Sequence, residues 1–139
     1  MLTQTDIRRV SAAIAEAELQ TSGEIRVHVE PGMKGDVMDC AVRVFQRLKM
    51  HRTKERNGVL ILVAPRRRAF VILGDTGIHD KVPPGFWESV RDVMQSHFRE
   101  GRTVEGILAG VQRAGEELRA YFPSKPDDRN ELPNVVTQG

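Results

Sequence analysis

Six consecutive apolar residues, Val59-Leu60-Ile61-Leu62-Val63-Ala64, follow the dipeptide Asn57-Gly58, and this run constrains the fold more than any other feature of the chain. A segment with no polar residue to turn toward water suits a central strand covered on both faces. Pro65-Arg66-Arg67-Arg68 is a short polar turn, and Ala69-Phe70-Val71-Ile72-Leu73 is a second apolar strand. A connection this short joins only antiparallel neighbours. A doubly covered strand needs helices on both sides of its sheet, and the flanking sequence supplies them.

Leu2, Ile7, Val10, Ile14 and Ala17 recur at helical spacing, which predicts a helix over residues 3–20 with Thr3 or Thr5 as its cap and Gly23 near its stop. Residues 24–30 alternate: Ile25, Val27 and Val29 fall on one face, Glu24, Arg26, His28 and Glu30 on the other. That pattern predicts a half-buried strand. Asp36 can cap a second helix running to about residue 50, with Val37, Cys40, Ala41, Val44, Phe45 and Leu48 as its apolar stripe. Residues 74–85, with three glycines and two prolines, read as a loop; residues 86–99 read as a helix broken at Gly101; Thr103 caps a last helix through residue 121. The order is αβαββαα. Joining the first two strands through a helix demands a parallel, right-handed crossover. The expected fold is of the α/β class, a three-layer α/β/α sandwich around a small mixed sheet. Residues 1–122 form its single domain, and residues 123–139 form an extended or mobile tail.

Composition narrows the function classes. The chain's 139 residues fit one domain with a buried core. Lys and Arg number 21 against 19 Asp and Glu, for a net charge of +2. No apolar run approaches the ~20 residues that span a bilayer, and the N-terminus lacks a signal-peptide layout. Cys40 is the only cysteine, which excludes an intrachain disulfide and a Cys-rich zinc site. The expectation is a soluble, cytoplasmic protein. There is no P-loop, no Gly-x-Ser-x-Gly elbow and no nucleophile with an adjacent base, so catalytic residues stay unassigned. Between Arg43 and Arg68 nine basic side chains face Glu55 alone. Arg66, Arg67 and Arg68 are the candidate contact for an anion or an acidic protein partner. Phe45 is the only aromatic in that stretch, so a stacking platform for single-stranded nucleic acid is missing.

Strand direction sorts the loops. Glu24, Asn57 and the segment 74–80 should lie at one edge of the sheet, and the arginine turn at the opposite edge beside residues 31–36. Asp75 and Asp80 on a glycine-rich loop, with Glu24 and the amide oxygen of Asn57, form the candidate set for a hard divalent cation such as Ca²⁺. Its expected affinity is weak, on the order of 10⁻⁴ M. The structural alternative makes Asp75 the acceptor of an Asx-type turn and leaves Asp80 solvated.

Several motifs resemble a known family. Thr21-Ser22-Gly23-Glu24-Ile25-Arg26-Val27 resembles the "TGxEIxV" first strand of the TPM domain family, named for thylakoid lumen, photosystem II repair and nematode receptor-modulator members. The run from Asn57 to Ala64 resembles its "NGvLllva" strand, and the run from Arg67 to Ile78 stands in place of its "dRkvrIevGyGLe" segment, with Asp75 where the family has an aromatic. Phe98-Arg99-Glu100-Gly101, followed by Ile107 and Gly110, resembles the family's closing motif. Asp128-Arg129-Asn130-Glu131-Leu132-Pro133 is similar to the tail of its short, soluble bacterial branch. The resemblance implies an α/β/α sandwich, acid phosphatase activity as in some plant members, and calcium near the glycine loop. The expected function is a non-enzymatic binding or accessory domain, with a divalent cation at the glycine loop; the alternative is a metal-assisted acid phosphatase.

Overall fold

The computed structural model describes residues 2–32, 34–124 and 136–138. Helix α1 (Gln4–Ala17) begins with a capping box. The Thr3 hydroxyl accepts from the Asp6 N–H at 3.1 Å, and the Asp6 carboxylate accepts from the Thr3 N–H at 3.0 Å. These hydrogen bonds hold the Asp6 carboxyl below its ordinary pKa. Strand β1 (Glu24–Val29) leads to helix α2 (Val37–Arg47), whose first N–H groups are capped by the Asp36 carboxylate. A single 3₁₀ turn (Met50–Arg52) precedes strand β2 (Gly58–Ala64), and another (Pro65–Arg67) joins it to strand β3 (Ala69–Gly74). Helices α3 (Thr76–His79), α4 (Glu88–Arg99) and α5 (Thr103–Arg119) follow, and a three-residue strand β4 (Val136–Gln138) ends the described chain.

The sheet runs in the order β3-β2-β1-β4. β1 is parallel to β2, with Glu24 opposite Gly58 and Val29 opposite Val63; β2 is antiparallel to β3, with Val59 opposite Gly74 and Ala64 opposite Ala69. Every residue of β2 is buried. Alternation across the pleat separates two cores. Ile25, Val27, Val29, Val59, Ile61 and Val63 pack with residues of α1, α4 and α5, whereas Leu60 and Leu62 pack with Cys40, Ala41, Val44 and Phe45 of α2. This is the three-layer α/β/α arrangement with a mixed sheet, and Cys40 is a buried, unpaired thiol within it.

Three expectations need correction. β1 is not half-buried: all six of its residues are buried, the polar ones included. Its charges survive burial because they are paired. Arg26 donates to Glu18 at 2.9 Å, to Glu24 at 3.3 Å and to the Ile25 carbonyl, and His28 lies between Glu30 at 3.0 Å and the Thr137 hydroxyl at 2.6 Å. The stretch 74–85 is not all loop, because the Asp75 side chain caps the four-residue helix α3. Thr103 is the first residue of α5 rather than its cap. Within the stretch assigned to the tail, residues 136–138 pair in parallel with β1, Val27 opposite Val136. The family-like segment 128–133 lies outside the described residues.

Glycines set how closely the helices approach. A Cβ at Gly115 would stand 2.9 Å from the Ala17 Cβ and 3.2 Å from its Cα, so α5 packs on α1 only without a side chain there. Gly115→Val is expected to cost about 1–3 kcal/mol in a urea unfolding curve, because the obstructing atoms are backbone-proximal and cannot swing aside. At Gly32 an added Cβ meets nothing within 4 Å, so Gly32→Ala should stay within about 0.5 kcal/mol of the parent.

Candidate functional site

The sheet register brings the expected residues to one edge. The Glu24 N–H donates to the Asn57 carbonyl at 3.4 Å, and the Asp75 N–H to the Gly58 carbonyl at 2.9 Å, so the starts of β1 and β2 meet the end of β3. Glu24, Asn57 and Asp75 are all buried there, at 3%, 2% and 6% exposure. Asp80 is exposed at the C-terminal end of α3. The Arg66, Arg67 and Arg68 turn lies at the far edge, where the Arg67 guanidinium donates to the Gly35 carbonyl.

Glu24, Asn57 and Asp75 each already have a partner there, whereas the buried Nδ1 of His51 nearby has none. Glu24 pairs with Arg26. The Asn57 amide donates to the Ser22 hydroxyl at 3.2 Å and to Glu55 at 3.4 Å, and the Ser22 hydroxyl donates to Glu55 at 2.9 Å. Asp75 is held by both arms of Arg56: Nε donates to Oδ2 at 2.7 Å and Nη2 to Oδ1 at 2.9 Å, while the Thr76 N–H donates to Oδ1 at 2.7 Å. This two-armed fork raises the Arg56 pKa above its ordinary value, since the Asp75 hydrogen bonds favour the charged guanidinium. Among the described residues, no three His, Cys, Asp or Glu side chains converge as ligands.

Arg56 is the residue that sequence reasoning missed. It sits in the left-handed region at φ 51°, a conformation that costs a non-glycine residue about 1–2 kcal/mol. Nothing in the spacing of Arg56 and Asp75 announces their pairing; it follows from the β2–β3 register. Gly77 completes the arrangement. Its N–H donates to the Arg56 carbonyl at 2.9 Å, and a Cβ there would collide with the Glu55 and Arg56 carbonyl oxygens. Beside this pair lies a shallow cleft of about 570 Å³, walled by Phe45, Leu73, His51 and His79. Arg56 also divides the basic run of the sequence, because it stands at the Asp75 edge while Arg66, Arg67 and Arg68 stand at the other.

A profile of the TPM domain matches residues 1–117. The chain belongs to the TPM domain family. Its structure is similar to the NMR structure of the BA42 protein from the psychrophilic bacterium Bizionia argentinensis, at 46% identity and a TM-score of 0.94, covering 100% of this chain and 96% of that one. The N-terminal domain of a P. gingivalis protein shares the fold at 20% identity and a TM-score of 0.70, over 87% of this chain and 78% of that one. The N-terminal domain of the cg2496 protein from Corynebacterium glutamicum does so at 14% identity and a TM-score of 0.65, over 100% and 82%. No curated protein matches the chain. Among the described residues of this TPM domain, no helix is long and apolar enough to cross a membrane.

In this TPM domain the Asp75 side chain is 5% exposed and the Arg56 side chain 48%, so solvent screens one partner of the pair. Asp75→Asn, which keeps the shape and removes the charge, is expected to cost about 1–2 kcal/mol in chemical denaturation, less than a fully buried pair would.

Proposed function

We propose that this TPM domain is a non-enzymatic binding module that engages an acidic partner through Arg66, Arg67 and Arg68. The observation that carries the reading is a contrast between the two sheet edges. At the Asp75 edge the buried charges neutralise one another. At the arginine turn all three side chains are exposed, and none makes an ion pair with a described carboxylate. Exposed guanidiniums without a carboxylate partner keep most of their donors for an incoming anion, Arg67 spending one on the Gly35 carbonyl.

A fluorescent hexaglutamate peptide serves as the probe. Binding is expected to weaken roughly tenfold between about 50 and 300 mM salt, as exposed charges are screened. The triple replacement of Arg66, Arg67 and Arg68 by Ser is expected to remove binding without changing Tm. Salt-independent binding that persists in the triple variant would overturn the reading.

Metal-assisted hydrolysis of a phosphate ester is the second reading, favoured by the gathering of Glu24, Asn57 and Asp75 at one edge. It requires Ca²⁺ or a similar cation to displace Arg56 from both Asp75 oxygens. Cation and guanidinium then compete, so millimolar Ca²⁺ is expected to shift the amide resonances of residues 74–81 more in Arg56→Gly than in the parent. Turnover of an aryl phosphate that depends on Ca²⁺ or Mg²⁺ and is lost in Asp75→Asn would place this reading ahead of the first.

A further inference from the structure

A second cleft, of about 490 Å³, opens at the arginine-turn edge between the β2–β3 turn and the α4–α5 connection. Arg68 and Arg99 line it, with Gln95, Thr103 and the rings of Phe70 and Phe98. The two rings are half-buried and meet edge-to-face, with centroids 5.2 Å apart at 77°. Their remaining surface is an apolar wall of the cleft that the two arginines also line. Neither Arg68 nor Arg99 makes an ion pair with a described residue, whereas the neighbouring Arg102 engages Glu100 at 3.4 Å. Glu105, in the first turn of α5, is exposed.

Both arginines stand on rigid supports. Arg99 ends α4, and Gly101, at φ 76°, closes that helix with the Arg102 N–H on the His97 carbonyl at 3.0 Å and the Gly101 N–H on the Phe98 carbonyl at 3.0 Å. This pair of bonds is a Schellman motif, which fixes the entry to α5. Arg68 takes φ 50° at the last residue of the hairpin turn, where glycine or asparagine is the unstrained choice. At Arg56 the same strained conformation delivers a fork onto Asp75. At Arg68 the described protein supplies no such carboxylate, so its guanidinium has no internal ion-pair partner.

We propose that this cleft binds a small organic oxyanion, a carboxylate or phosphate group carried on a flat apolar body. The guanidiniums of Arg68 and Arg99 fork onto the oxygens, Gln95 and Thr103 add polar contacts, and the Phe70–Phe98 wall takes the apolar body. The volume lies in the range of small-molecule sites and is too small for a folded partner. The inference rests on the binding reading above and gives Arg68 a second role in a defined pocket, which Arg66 and Arg67 do not line.

Phenylphosphonate, which has no ester bond to hydrolyse, is the test ligand, followed by amide NMR and calorimetry. Shifts are expected at residues 68–70 and 95–103. Arg68→Gly, which suits the left-handed backbone, and Arg99→Gln should each weaken binding roughly tenfold while Tm stays the same or rises. Inorganic phosphate should bind roughly tenfold more weakly than phenylphosphonate, and benzyl alcohol should not bind. Benzoate compared with phenylphosphonate assigns the oxyanion as carboxylate or phosphoryl. The double replacement of Arg66 and Arg67 by Ser separates the two readings: it should lose hexaglutamate and keep phenylphosphonate. Equal binding of phosphate and phenylphosphonate, unchanged affinity in Arg68→Gly and Arg99→Gln, or shifts spread over arginines remote from the cleft would overturn the proposal.

Discussion

The parallel pairing of β1 with β2, buried on both faces, is the constraint on which the rest of this domain depends. Two adjacent central strands leave no face of β1 open to water, although every second residue of β1 is polar. The fold meets that conflict with internal pairing. Glu18, just beyond α1, reaches the Arg26 guanidinium and also accepts the Ile25 N–H at 2.9 Å, so one carboxylate ties the helix to the strand twice. Deleting one partner of such a pair strands the other without solvent, which makes the set mutually dependent. The His28–Thr137 contact extends the same row to β4, and the Gln138 side chain accepts from the Leu2 N–H at 2.8 Å. The two ends of the described chain are thereby fastened to the sheet.

That pairing also decides which loops meet, and so gives the two edges of the sheet opposite characters. Where β1 and β2 begin and β3 ends, the chain folds its polar groups onto one another: Arg56 on Asp75, and Ser22, Glu55 and Asn57 in one hydrogen-bonded set. Where β2 ends and β3 begins, the polar groups project outward. Three basic residues, Lys49, Arg56 and Arg68, hold positive φ values in this domain. For Arg56 the strain is offset by a two-armed ion pair. For Arg68 no described residue offers the equivalent, and it lines a cleft with an aromatic wall.

Much of this was legible in the residues. The apolar run 59–64 and its short link to Ala69 were enough to place β2 at the centre and β3 antiparallel beside it. The helix between β1 and β2 fixed their parallel direction, and with it the meeting of Glu24, Asn57 and Asp75 and the exile of the arginine turn to the other edge. Alternation misled at β1, because periodicity records which residues are apolar and not whether the polar ones find partners inside. Arg26 could be buried only because Glu18 and Glu24 converge on it, and such convergence is a property of three dimensions. The glycine segment misled for a related reason: capping by Asp75 turns four of its residues into a helix.

What the sequence determined by itself was the layer architecture, since hydrophobic period and connection length are local quantities that restrict topology directly. It determined the family as well, through motifs carried in order along the chain. What only the tertiary structure decided was the state of each charge. Asp75 reads as a ligand until Arg56, 19 residues away, closes on both of its oxygens. The basic run reads as one patch until the β2 strand carries its two halves to opposite edges. Arg99 reads as an ordinary helix-terminal arginine until the α4–α5 turn sets it in a cleft with Arg68. Electrostatic partnership depends on distances of a few ångströms between residues remote in sequence, and the fold alone sets those distances.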